Sequence, residues 1–100
     1  MIQRVIVRPL AVEDVASAVM WYEEQCPGLG AEVLDEVIRA IRRAQEAPEQ
    51  FRIPRPSDGM RRVLIERFPY RVFFSIVGEA LHVHAVLHSA RHDHHWQHRK

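Results

Sequence analysis

The sequence predicts an α+β domain with the element order β-α-α-β-β-β, in which a helical hairpin packs on one face of a small, mostly antiparallel sheet. Two observations predict it. After a short opening strand, apolar residues recur at helical spacing in the first half of the chain, and they alternate with a period of two in the second half. With 100 residues, of which 47% are hydrophobic and 27% charged, residues 1–100 are expected to form a single domain.

The first element is a strand at residues 2–8, where β-branched residues dominate, and Pro9 ends it. A helix is predicted for residues 10–25. Its apolar residues recur at helical spacing and are expected to form the buried stripe: Val12, Val15, Ala16 and Val19. Trp21 and Tyr22 could face a partner, but partial burial of Trp21 under the sheet is the favoured interpretation.

A second helix is predicted for residues 31–47, because apolar residues follow an unbroken helical pattern there. They are Val33, Leu34, Val37, Ile38, Ile41 and Ala44. The short Pro-Gly segment at 26–30 makes the two helices an antiparallel hairpin. Three prolines indicate a loop at 48–59, which Phe51 anchors to the core.

Three strands are predicted at residues 61–67, 70–77 and 81–88, with a tight hairpin loop at 78–79. Strict alternation would turn Leu81, Val83, Ala85 and Leu87 toward the helices. It would leave polar and aromatic residues on the face turned away from the helices: Arg62, Arg71, Phe73, His82, His84 and His88. Residues 92–100 form a polar C-terminal tail or a short helix.

The charge is divided unevenly along the chain. Residues 1–50 carry 5 Arg against 9 Asp and Glu, a net charge of −4, whereas residues 51–100 carry 9 Lys and Arg against 4 Asp and Glu, a net charge of +5. This asymmetry suggests a surface that meets an anionic or acidic partner. No apolar run approaches the about 18 residues of a membrane span, so no membrane partner is expected. A single cysteine, Cys26, excludes an internal disulfide and favours the cytoplasm.

All seven histidines lie between positions 82 and 98. His82, His84 and His88 on one strand, and His94 with His98 in the tail, have spacings that suit a transition metal. Because no Cys, Asp or Glu on the strand completes a site there, these histidines are interpreted as polar surface residues. No metal and no cofactor are predicted.

Four segments in this order of elements resemble the RelE/ParE toxin superfamily, and the ParE-like branch, often called plasmid stabilisation proteins, is the closest. They are Trp-Tyr-Glu-Glu-Gln at 21–25, Pro-Gly-Leu-Gly at 27–30, Phe-Pro-Tyr-Arg-Val at 68–72 and Val-Leu-His-Ser-Ala-Arg at 86–91. The resemblance implies the growth-inhibiting toxin of a bacterial type II toxin–antitoxin system, neutralised by a cognate antitoxin in a hetero-oligomer. ParE-like toxins inhibit DNA gyrase and hence replication, whereas RelE-like toxins cleave mRNA on the ribosome.

The two activities require different residues. By the resemblance, Arg71 falls on a catalytic arginine of RelE-like toxins and Arg62 on a lysine. Leu64 and Ser89 stand where further basic residues are expected, and His95 or Trp96 replaces a tyrosine. These departures favour the ParE-like interpretation, which requires no catalytic set.

The candidate residues follow from these alternatives. A RelE-like endoribonuclease would use Arg62, Arg71, His88 and Arg91, with His88 as the base. A gyrase inhibitor would bind its target through Arg61, Arg62, Arg71, Arg91 and Trp96. A third hypothesis is a non-toxic remnant that still binds an antitoxin.

Two of these residues have structural alternatives as well. Arg71 could instead form a salt bridge with Glu66 across the hairpin. Trp96 either anchors the chain terminus to the body of the protein or lies in an interface, where aromatic residues are enriched.

Overall fold

The computed structural model describes residues 2–51 and 59–89, and it confirms the predicted order of elements. The elements are β1 (Arg4–Val7), α1 (Pro9–Gln25), α2 (Leu29–Glu46), a 3-10 turn (Pro48–Gln50), β2 (Arg61–Leu64), β3 (Tyr70–Val77) and β4 (Ala80–His88).

The four strands form one mixed sheet in the order β1-β4-β3-β2. β1 runs parallel to β4, and the other two pairings are antiparallel, so the mostly antiparallel prediction is confirmed. The first and last strands are therefore neighbours, and the helical hairpin between β1 and β2 covers one face of the sheet. We call the opposite face, which is turned away from the helices, the outer face.

Most elements have ends that differ from the predicted bounds, and two of these differences have clear local reasons. Pro9 is the first residue of α1 rather than part of a connecting segment, because a proline at this position needs no N–H and already has a helical φ. β2 ends at Leu64 instead of continuing to Arg67. There the Ile65 N–H donates to the carbonyl oxygen of Tyr70 at 3.0 Å, and Arg67 adopts a φ of 75° in the turn before β3.

The corner between the helices is held by one carboxylate. Glu23 near the end of α1 accepts hydrogen bonds from the Gly28 and Gly30 N–H groups at 3.0 Å. These are N–H groups at the start of α2, which lack a partner within the helix, so the carboxylate caps α2. At Gly30, α2 also comes into close contact with α1, since a Cβ atom at this position would lie 2.8 Å from the carbonyl oxygen of Val19.

The main core lies between the sheet and the helices, but α1 presents a different side to it than predicted. Val15 and Val19 pack against the core, whereas Val12 and Ala16 are exposed, and Ala11 and Ala18 are buried instead. α1 carries apolar residues on several sides, so spacing alone does not determine which side faces the sheet. On α2, Leu34 and Ile38 are exposed, and the buried hydrophobic residues are Val33, Val37, Ala40 and Ala44.

An irregularity in β4 reverses the predicted faces of its second half. Phe73 pairs with Ala85 but Phe74 pairs with Val83, so His84 is an extra residue in the ladder. One extra residue shifts the phase of a two-residue alternation. Beyond His84, the odd-numbered residues therefore change from the helix side to the outer face.

The prediction for residues 85–88 of β4 is consequently wrong, and Val86, which alternation placed on the outer face, lies in the main core. Ala85 and Leu87 lie on the outer face, where they form a second buried cluster with Phe73, against which Met60 packs. His88 pairs with Tyr70 and lies on the helix side. The center of the outer face is accordingly packed rather than open, since Phe73 is only 1% and Leu87 only 4% exposed.

Candidate functional site

The outer face carries positive charge from three of its four strands, through Arg4 on β1, Arg62 on β2 and Arg71 on β3. The strand registers place the following side chains on it: Arg4, Ile6, Arg62, Leu64, Arg71, Phe73, Ser75, Val77, His82, His84, Ala85 and Leu87. None of these strand residues is acidic, whereas α1 and α2 carry eight of the acidic side chains: Glu13, Asp14, Glu23, Glu24, Glu32, Asp35, Glu36 and Glu46. The protein therefore has an acidic helical layer and a basic outer face.

Arg62 and Arg71, two predicted site residues, lie on this outer face. The guanidinium carbon of Arg62 is 5.2 Å from the centroid of the Phe73 ring, in cation–π contact. Arg71 lies on the same face of β3 as Phe73, two residues before it, and pairs with Leu64 on β2 and Leu87 on β4. The Glu66 carboxylate, the predicted alternative partner of Arg71, is instead 4.0 Å from Arg43 on α2.

Arg61 has a local structural contact instead of lying on the outer face. Its guanidinium donates a hydrogen bond to the carbonyl oxygen of Phe51 at 3.0 Å. The Phe51 ring in turn packs against Phe74 with 6.0 Å between the centroids, which agrees with the predicted anchoring of the loop. Arg61 thus ties the segment after α2 to the edge strand.

His88 lies on the other side of the sheet from Arg62 and Arg71, in a groove beside α1. The groove has a volume of about 440 Å³, and its lining residues are Asp14, Ser17, Ala18, Trp21, Tyr22, Tyr70, Val86 and His88. The His88 ring packs edge to face against Tyr70, with 5.4 Å between the centroids. The sheet thus separates the candidate base, His88, from Arg62 and Arg71.

Trp21 stands at this groove and is 54% exposed, so its predicted burial under the sheet is wrong. Its ring packs edge to face on Tyr22 at 4.9 Å, and Tyr22 in turn contacts Phe68 at 5.0 Å. Asp14 accepts the Val86 N–H at 2.9 Å, at a point of β4 beyond the segment that pairs with β1. The groove was not predicted from the sequence, in which the adjacent Trp-Tyr pair at 21–22 is the local signal for it.

A second group of polar side chains lies on the outer face close to β1. The Ser75 Oγ and His84 Nε2 atoms are 2.8 Å apart, and the His82 and His84 rings stack with 6.2 Å between the centroids. Burial lowers the pKa of His84, and the positive charges of Arg8 and His82 lower it further. Within residues 2–51 and 59–89, no three His, Cys, Asp or Glu side chains are arranged to hold a metal ion.

The remaining predicted site residues, Arg91 and Trp96, lie outside the described residues, as does the predicted tail at 92–100. Neither helix in the described part of the chain is sufficiently long and apolar to span a membrane.

Comparison with known proteins agrees with this architecture. A family model described as the ParE toxin of the type II toxin–antitoxin system, parDE, matches residues 5–93. A solved structure titled "Chromosomal ParDE TA system from P. aeruginosa" is similar with a TM-score of 0.76 and 17% identity, over 88% of this chain and 96% of that chain. The search of curated proteins found no match. Because the family model covers most of its length, this chain belongs to the ParE toxin family of type II toxin–antitoxin systems.

Proposed function

We propose that this ParE-family toxin acts by binding and inhibiting DNA gyrase, and that a cognate antitoxin neutralises it. The observation that carries the proposal is the placement of the candidate nuclease residues. Arg62 and Arg71 lie on the outer face, whereas His88 lies in the groove on the helix side.

Cleavage of RNA requires the base and the charge-stabilising groups to act on one phosphodiester. The base must come within hydrogen-bond reach of the attacking hydroxyl, and the cations must contact the same phosphate. The sheet lies between His88 and the two arginines, so these side chains do not converge on a common point. This supports binding, rather than RNA cleavage, as the role of Arg62 and Arg71.

The outer face has a composition that suits protein recognition. Arg62 and Arg71 flank the buried cluster of Phe73, Ala85 and Leu87, which supports them from below, and Leu64 beside Arg71 is 63% exposed. Arginine is enriched in interfaces. We therefore assign gyrase binding to Arg62 and Arg71, with Arg91 and Trp96 as further predicted contacts, while Arg61 supports the edge strand through Phe51.

Purified protein is expected to block DNA supercoiling by gyrase while mRNA on translating ribosomes stays intact. Arg71→Gln should weaken this inhibition by about tenfold or more, as expected for loss of a charged contact in an interface. His88→Gln is the matched control, because it removes a side chain on the opposite side of the sheet, and it should inhibit like the original protein.

Three outcomes would contradict the proposal. Codon-specific mRNA cleavage with unaffected supercoiling would indicate the endoribonuclease. Loss of activity in His88→Gln but not in Arg71→Gln would assign the activity to the groove. Neither supercoiling inhibition nor cleavage, with antitoxin binding retained, would indicate the non-toxic remnant.

We further propose that the antitoxin covers the groove beside α1. Trp21 is a large aromatic side chain left mostly exposed at the groove, and such residues frequently dominate binding energies. Trp21→Ala should weaken binding of the antitoxin encoded next to this chain's gene by about tenfold or more, as measured by calorimetry. Met20→Ala is the control, because Met20 is also exposed, at 64%, and lies on another side of α1. A larger effect at Met20 than at Trp21 would place the antitoxin elsewhere.

A further inference from the structure

We propose that the outer face holds an oxyanion-binding site for a phosphate group, formed by Arg8, His82, His84 and Ser75. The site lies at the β1 side of the face, separate from Arg62 and Arg71. It does not depend on gyrase being the target.

The fold brings these four residues together from three strands. Ser75 on β3 and Ile6 on β1 both pair with His82 on β4. Arg8 follows β1 directly, and its N–H donates to the carbonyl oxygen of Val83 at 3.0 Å, beside His84. By the alternation of β1, the side chain of Arg8 lies on the same face as Ile6.

The side chains offer the donors that phosphate binding requires. The imidazoles of His82 and His84 stack at 6.2 Å, and His84 Nε2 is 2.8 Å from the Ser75 hydroxyl. A guanidinium, a hydroxyl and two imidazoles, which donate from both ring nitrogens once protonated, form hydrogen bonds with oxyanions, and those from the charged groups are charge-assisted. The two histidines and Ser75 are half-buried and Arg8 is exposed, so an ion can reach the group.

The electrostatics of the group favour an anion. Within residues 2–51 and 59–89, His84 is faced by Arg8 from the end of β1, His82 from β4 and the uncharged Ser75 from β3, and the strand residues on the outer face include no acidic side chain. Burial lowers the pKa of His84, and the charges of Arg8 and His82, which repel a proton on it, lower it further. An oxyanion bound among these groups would attract the positive charges of Arg8, His82 and protonated His84, and would offset the repulsion between them.

Proton linkage gives the site a pH signature. In the free protein the lowered pKa keeps His84 neutral near pH 7. A bound anion favours the protonated imidazole and raises this pKa, so binding takes up a proton. Affinity for sulfate, which does not titrate near neutrality, should rise as the pH falls through about 6.5, the ordinary histidine pKa.

The test is an NMR titration of the histidine side chains with inorganic phosphate at constant ionic strength. Phosphate should shift the His82 and His84 signals, and Arg8→Gln should weaken its binding by about tenfold or more, as for loss of one charged hydrogen bond. His82→Gln should weaken phosphate binding as well, because it removes an imidazole donor. The Ser75–His84 contact does not involve His82 and should stay intact in this variant. Arg4 lies on the same face, four residues before Arg8. Arg4→Gln therefore removes a charge from this face away from the proposed site, and it should leave phosphate binding nearly unchanged.

Two results would overturn the site. One is the absence of phosphate-dependent shifts at His82 and His84. The other is an equal loss in Arg4→Gln and Arg8→Gln, which would indicate only a diffuse attraction to the basic face. A parallel titration with dimethyl phosphate and with an oligothymidylate identifies the source of the phosphate. Binding of inorganic phosphate alone supports a free or terminal phosphate, and binding of the diesters as well supports a nucleic-acid backbone.

Discussion

Replacing Phe73 by alanine is expected to lower the free energy of unfolding by about 3–5 kcal/mol. The ring is 1% exposed and forms a cluster with Ala85 and Leu87 on the outer face. Its removal would leave a cavity at the center of β3 and take away the cation–π contact of Arg62. Because small domains are stable by only about 5–15 kcal/mol, this loss should be plain in urea denaturation monitored by circular dichroism.

Val77→Ala is the matched control for this substitution. Val77 lies on the same face of β3 as Phe73, four residues further along the strand, but it is 63% exposed. Its truncation should change stability by no more than about 0.5 kcal/mol. If Phe73→Ala cost as little as Val77→Ala, the outer face would be an open surface, and the buried cluster would be refuted.

Replacing Gly30 by alanine is expected to destabilise the protein by about 1–3 kcal/mol, although alanine is the better helix former. A Cβ atom at this position would lie 2.8 Å from the carbonyl oxygen of Val19 and 3.0 Å from Glu23 Oε1. The first contact is with backbone, so α1 and α2 would have to separate. The second would disturb the carboxylate that caps α2 through Gly28 and Gly30.

The neighbouring residue Ala31 isolates the effect of helix propensity. It is exposed in the same turn of α2, and Ala31→Gly should cost about 1 kcal/mol, the intrinsic difference between the two residues. Thermal unfolding of both variants then separates the two causes, because propensity alone would make Gly30→Ala stabilising. A gain in stability for Gly30→Ala would show that the helices are not in close contact at this corner.

The charge asymmetry of the sequence has a different meaning in three dimensions. Counted along the chain, the first half is acidic, yet Arg4 on β1 lies on the basic outer face, and by the alternation of the extended chain Arg8 after it lies there too. β1 pairs with the last strand, so the basic face draws on both halves of the chain. The relevant division is between the helices and the outer face, and a linear count cannot show it.

The sequence by itself determined the element order, the helical hairpin and the two-residue turn at Gly78 and Glu79. These features depend on local information, since periodicity, helix breakers and turn residues act over a few positions. The position of Arg71 on the face away from the helices also followed from alternation, because β3 pairs with β2 and β4 without an insertion of its own.

Only the tertiary structure decided which candidate residues share a site. The extra residue at His84 arises from pairing between β3 and β4, and nothing in β4 alone marks where its alternation changes phase. Because of this extra residue, His88 lies in the groove beside Trp21 and not, as predicted, on the face that carries Arg62 and Arg71. The side of α1 that is buried was likewise decided by its packing against α2 and β4, because several of its sides are apolar. Both outcomes depend on contacts between distant segments, and their effects on side-chain direction are therefore absent from local sequence patterns.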